Sequence, residues 1–253
     1  MYIDEQFEQL EQEERDLTDE GIAIMLLILA NLKGDLEKEL RNFYQKYGKD
    51  GVVTYAEARK WVSEQNHQRR LTALTIIVGG AFTLALGELE THFRKLLTEV
   101  IGRESAFFGV ELDIDALLAR KWGVDDLRWL ERLENDLHLW KLYVANDIKR
   151  GLHQGKSIDE ILEQLTKRFD RIDTLLAALA LTESTAVGSM SRYDIFRELG
   201  ITKYQFYTKA DERTCETCGS MHGLVFPISA YEIGVTASPL HPRCRCWEVP
   251  ILD

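Results

Sequence analysis

The first 214 residues of this chain contain no cysteine and no proline; all four cysteines and all four prolines lie between Cys215 and Asp253. That gap separates a long body from a small, chemically distinct head. Other things are missing too. The N-terminus is acidic and carries no apolar stretch of the kind a signal peptide needs, so no export signal is expected. The most apolar runs, Ile22–Leu32 and Leu71–Leu86, fall short of the ~20 residues of a membrane span and read as buried core helices. The chain lacks a basic excess: its net charge of −11 argues against nonspecific nucleic-acid binding by the whole surface. There is no Gly-rich phosphate loop, no Gly-x-Ser-x-Gly and no His-Glu-x-x-His. Internal repeats and low-complexity linkers are also absent.

Apolar content of 45% and charged content of 29% are globular values. The acid is concentrated: residues 1–20 hold nine acidic residues against one arginine. They read as an acidic arm or frayed helix, with a solvated charge run preferred over a partner-binding segment. Residues 201–253 balance five Lys/Arg against six Asp/Glu.

The body reads as helix after helix. Asp19 to Tyr47 carries Ile22, Met25, Leu29, Leu32, Leu36 and Leu40, with later spacings of three and four. Thr54–Glu57 is a capping box ahead of Trp61. Residues 69–101 are apolar around much of a helix and end at Ile101-Gly102; Phe107-Phe108-Gly109 reads as a loop with buried aromatics. A helix is expected from Asp125 to Arg150. A second capping box, Ser157–Glu160, opens a short helix through Phe169, and a last long one runs from Ile172 to Leu199 with Gly200 as C-cap. After it the period becomes that of strands, at Tyr204–Thr208, Gly223–Phe226 and Arg245–Val249. The expected fold is mainly α: an elongated helical body (21–200) behind the arm (1–20), with a C-terminal α+β zinc-stabilised module (201–253).

Within that module Cys215-Glu-Thr-Cys218 precedes His241-Pro-Arg-Cys244-Arg-Cys246. Two short knuckles far apart in sequence let four donors meet one zinc ion. The five candidates are Cys215, Cys218, His241, Cys244 and Cys246. The first choice is Cys215, Cys218, His241 and Cys244; in the rival set Cys246 replaces His241 or Cys244, and spacing alone does not decide. His222 is a weaker sixth. A disulfide between Cys215 and Cys218 is disfavoured, because the βαβ context of redox C-x-x-C motifs is lacking. With four protein ligands the Zn2+ is structural, and in a module this small its binding contributes on the order of 10 kcal/mol to folding. Asp211 and Arg213 are expected to fix the turn before Cys215, since Asp readily bonds the backbone two residues on. His92, His138 and His153 stand alone on helices and are not read as ligands.

Four stretches in order resemble the C-terminal domain of the tailed-phage minor head protein family, the head morphogenesis group that includes phage Mu F-like proteins. They are Gly155–Ile161, Leu181-Thr-Glu183, Tyr207–Cys218 with Gly223–Phe226, and Pro239–Cys246. The resemblance covers roughly residues 130–250. Leu181 stands where the family usually has Arg, and Glu183 is the carboxylate it singles out, read either as a partner for Arg213 or another basic group of the head or as a solvated helix residue.

The resemblance implies a structural, non-enzymatic virion component. Such a protein assembles in the bacterial host cytoplasm and acts in procapsid assembly and DNA packaging or delivery. Its partners would be the portal and other head proteins, with packaged DNA as a further contact, and no membrane or small-molecule substrate. Some relatives carry a toxin or enzyme domain after the cysteine module; with Asp253 seven residues past Cys246, none is expected here. Two alternatives belong to other classes. A His-metal-finger nuclease needs further histidines and an Asn, and residues 201–253 contain no Asn. A zinc-ribbon nucleic-acid binder would rely on Arg243 and Arg245 in a nearly neutral head.

Overall fold

The computed structural model describes residues 2–48, 52–53 and 66–252. The capping box at Thr54–Glu57 and Trp61 lie outside them. The elements run α1 (Tyr2–Tyr47), α2 (Asn66–Phe108), α3 (Ile114–Leu118), α4 (Trp129–His153), α5 (Ile158–Glu198), β1 (Lys203–Thr208), α6 (Glu216–Met221), β2 (Val225–Pro227), a 3-10 turn (Ile228–Ala230) and β3 (Cys246–Ile251). The described protein is mainly helical, with one small antiparallel sheet near its C-terminus. Among the described residues no helix is long and apolar enough to cross a membrane.

The helices are longer than the sequence pattern alone suggests. α1 begins at Tyr2, not near Asp19, so the acidic stretch is helical from its start. α2 runs through Gly102 to Phe108; a mid-helix glycine costs about 1 kcal/mol, too little to stop a helix whose neighbouring turns are buried. Gly109, at φ +67, ends it, so Phe107 and Phe108 form its last turn, not a loop. The two helices expected on either side of residues 170–171 are one, α5. Neither Gly nor Pro interrupts that stretch, and Phe169 and Ile172 are buried three residues apart. α4 starts at Trp129, four residues later than expected, after a turn in which Asp126 has φ +49.

The chain forms two compact units. One comprises Ile24–Glu90 and Leu133–Leu175. Its interior is apolar: Met25, Leu29, Leu36 and Leu40 of α1, Leu89 of α2, Trp140 and Val144 of α4, and Leu165 of α5 are each at most 2% exposed. Each such side chain contributes roughly 1.5–3 kcal/mol by leaving water. Truncating Leu29 to Ala would cost about 2–5 kcal/mol. The capping box at the head of α5 is formed. Ser157 N donates to Glu160 Oε2 at 2.8 Å, and Glu160 N donates to Ser157 Oγ at 3.3 Å.

The other unit comprises Met1–Ala23, Thr91–Arg132 and Leu176–Asp253. α5 ends in it at Gly200, φ +70, where the Ile201 amide reaches back to the Phe196 carbonyl at 2.8 Å. The sheet follows in the order β2-β1-β3. Tyr204, Phe206 and Thr208 of β1 alternate inward, and Thr208 sits opposite Cys246 in register. Two apolar clusters hold the sheet to helices: Tyr204 with Ile195 and Phe196, and Trp247 and Val249 with Phe7. A third consists of Phe206 with Cys218, Cys244 and Cys246.

Candidate metal centre

The C-x-x-C knuckle is built on the first turn of α6. Cys215 is its N-cap, in extended backbone, and its sulfur accepts from the Cys218 amide at 3.4 Å. Ahead of it, the Arg213 and Thr214 segment is turned by Asp211, whose Oδ1 accepts from the Arg213 amide at 3.0 Å. Asp211 also grips Arg245 through both its oxygens, at 2.5 and 2.6 Å, which ties the first knuckle to the second. The Arg245 guanidinium holds the Asp211 carboxyl well below the usual range.

The second knuckle is a tight turn: Arg243 adopts φ +62, and the Cys244 amide donates to the His241 carbonyl at 3.1 Å. α5 clips it in place. The Arg243 amide donates to Thr182 Oγ1 at 3.1 Å, and Thr185 Oγ1 donates to the Cys244 carbonyl at 3.2 Å.

These turns converge five donors. His241 Nε2 lies 3.2 Å from Cys215 Sγ and 3.1 Å from Cys218 Sγ, and Cys218 Sγ lies 3.7 Å from Cys244 Sγ. The donor atoms of Cys215, Cys218 and His241, and those of Cys218, Cys244 and Cys246, lie within 4.8 Å of one another in each set. Cys218 is the shared vertex. All four cysteines are free thiols, so no disulfide competes. Tetrahedral zinc with Zn–S of about 2.3 Å places its sulfurs roughly 3.7–3.8 Å apart, so the Cys218–Cys244 edge has the length the ion needs. The histidine edges are shorter than that geometry asks by less than about half an ångström. The imidazole is also in the right tautomer: Nδ1–H donates to the Pro242 carbonyl at 2.8 Å, which leaves the Nε2 lone pair facing the thiols.

The electrostatics of the group fit a cation. The Cys218 amide lowers the Cys215 thiol, and the hydrogen bond from the Cys246 thiol lowers Cys244 to about 5. The same bond, then burial, raises Cys246, and burial together with the neighbouring Cys244 charge pushes Cys218 up to about 12. Burial opposes the imidazolium of His241, yet the Pro242 carbonyl and the facing thiols raise it. Packed thiols thus share very few negative charges. A divalent ion removes that restriction, because each ligating sulfur becomes a thiolate against its charge.

The remaining candidates fall elsewhere. His222 does not join the group: its Nδ1 accepts from the Thr208 amide at 3.1 Å, and its ring meets Tyr207 edge-on. Glu183 is 3% exposed, and its oxygens accept from Arg132 Nη1 and Trp122 Nε1, each at 2.9 Å. Arg132 in turn stacks on the Trp122 ring, 4.2 Å from its centroid. Leu181 lines a cavity beside Cys244 and Cys246. Sequence reasoning missed Thr182 and Thr185. The signal was available, since both lie in or beside the Leu181-Thr-Glu183 stretch on the face of α5 that meets the knuckle.

Fold and site together define a class: a mainly helical protein bearing a Cys/His cluster of zinc-binding type on a small sheet. Residues 143–249 match the family described as Phage Mu protein F like protein. No curated protein and no solved structure matches the chain.

Proposed function

We propose that this chain is a minor head protein of a tailed phage or prophage, acting in procapsid assembly and in DNA packaging or delivery beside the portal. The family match over residues 143–249 carries the reading. The chemistry of the cluster supports a structural role for it. Four protein donors close a zinc site and leave no position for substrate. Both histidines of the module are engaged, His241 with the thiols and His222 with the backbone, so neither is poised as the base a nuclease would need.

The ligand set is Cys215, Cys218, His241 and Cys244. Cys246 stands behind them as a hydrogen-bond donor to the Cys244 sulfur, orienting and tuning it from outside the tetrahedron. The zinc holds the two knuckles, and through Thr182 and Thr185 the end of α5, in one shape. The helices supply surface for the portal and other head proteins.

The test is quantitative mass spectrometry of purified DNA-filled particles. Recovery of the chain at low copy, far below the major capsid protein, is the expected result. Its absence from particles while abundant in the lysate would overturn the virion role.

A further inference from the structure

Arg192, on α5, is 2% exposed and is met by carboxylates from three elements: Glu11 and Glu14 of α1, Glu104 of α2 and Glu248 of β3. Arg15 Nη2 also lies 3.8 Å from Glu11 Oε2, so four carboxylates against two guanidinium groups leave an excess of two negative charges in a buried place. Glu248 has neutral donors of its own, Ser189 Oγ at 2.9 Å, Tyr231 Oη at 3.0 Å and the Ser238 amide at 2.6 Å. The other three are less well provided. Glu11 and Glu104 share Arg192 Nη2, while Glu14 Oε1 and Glu104 Oε2 find no hydrogen-bond partner among the described residues. Carboxylate oxygens of Glu11, Glu14 and Glu104 all lie within 4.8 Å of one another.

An independent observation points into the same space. Ser184, two turns before Arg192 on α5, is 6% exposed, and its hydroxyl has no partner among the described residues. It lines a cavity of about 40 Å³ together with Glu11, Glu14 and Arg192. Gly188, one turn along, keeps that wall low: a Cβ there would stand 3.5 Å from Glu14 Oε2 and 3.6 Å from Glu104 Oε1. The space has room for an ion and about one water.

Buried carboxylates in excess must be neutralised, by protons or by a cation. A proton shared between Glu14 and Glu104 would relieve that pair but would leave the Ser184 hydroxyl without a partner. We propose that Glu11, Glu14, Glu104 and Ser184 form a second metal site, for a hard divalent cation of the Mg2+, Ca2+ or Mn2+ class. Carboxylate and hydroxyl oxygens at this spacing select such ions, as thiols and imidazole select zinc. The ion would fasten the start of α1 to α2 and α5, and Arg192 would keep its contacts with Glu11 and Glu248. Burial raises Glu104 to about 7 and Glu14 well above its ordinary value, so ion binding at neutral pH displaces protons from the cluster.

The experiment uses the full chain, its thiols saturated with zinc, and Mn2+ as the probe. Bound Mn2+ is counted by electron paramagnetic resonance, followed by competition with Ca2+ and Mg2+. The expected result is one Mn2+ per chain, bound with release of protons and without loss of zinc. Glu104→Gln should weaken it at least tenfold, and Ser184→Ala severalfold with an unchanged circular dichroism spectrum. Should Glu104→Gln fail to fold, Glu14→Gln and Ser184→Ala decide. Absence of stoichiometric binding to the zinc-loaded wild type, or binding that none of these substitutions weakens, overturns the proposal.

Discussion

Arg132 Nη1 donates to Glu183 Oε1 at 2.9 Å, in a place where the glutamate is 3% exposed and the arginine side chain 13%. Burial raises the Glu183 carboxyl despite the opposing pull of Arg132, which says that desolvation is not fully repaid by the pair. Removing one partner is therefore expected to hurt more than removing both. Glu183→Ala should destabilise the protein by roughly 1–3 kcal/mol, by leaving the Trp122 indole N–H and one Arg132 N–H without their acceptor while Asp125 keeps the guanidinium paired. The double replacement Glu183→Ala with Arg132→Ala should cost less than the sum of the singles. Urea midpoints of the four proteins measure it; additive losses would show that the pair is not coupled.

Zinc should bind with a stoichiometry of one per chain, and Cys218→Ser should abolish that binding, since Cys218 belongs to both donor triads. Cys246→Ser should leave a site of the same stoichiometry but weaker. Metal analysis after dialysis tells these apart. Full zinc retention in Cys218→Ser would break the assignment.

Loss of zinc should be felt beyond residues 203–253. Arg15 of α1 donates to the Arg245 carbonyl at 2.9 Å, and Phe7 packs with Trp247 and Val249. Chelation is therefore expected to speed amide hydrogen exchange at the start of α1 as well as in the sheet. Protection around Phe7 and Leu10 that is unchanged by chelation would show that this end of the helix holds without the knuckles.

Glu104 gives the protein a pH dependence in buffers without added divalent ions. Its folded pKa, about 7, lies above the ordinary carboxyl value, because burial outweighs Arg192, with Glu11 and Glu14 also facing it. The protonated form is the better-accommodated one. The stability it confers is complete below the unfolded value and is lost as pH rises through about 7. Glu104→Gln mimics that form, so it should match wild type near pH 4.5 and exceed it near pH 8, read as denaturant midpoints. A wild type that gains stability on the variant over this range would reverse the sign.

Much of this protein is legible in its sequence for plain reasons. The two knuckles are local, and their spacing names the residues that the structure gathers as Cys215, Cys218 and His241 and as Cys218, Cys244 and Cys246, without choosing four of the five. The Ser157–Glu160 box and Gly200 act within one turn of themselves. What escapes is whatever depends on a distant partner. Glu11 and Glu14 look like part of a solvated charge run until Arg192, some 180 residues on, is seen between them. Glu183 invites a partner in the cysteine module, yet its cation comes from α4, 51 residues earlier. Helix ends are misjudged where a glycine such as Gly102 is read as a stop although packing overrides its modest cost.

The contact of Arg15 with the Arg245 carbonyl spans 230 residues of chain. On the ribosome, the opening turns of α1 are made long before the strand they lean on. The unit they share is finished only when Arg245 and the strand that follows it have emerged. A nascent chain therefore exposes Phe7 and its buried acidic neighbours until the strand bearing Trp247 and Val249 has been made. The pace of translation sets how long those side chains wait for their partners.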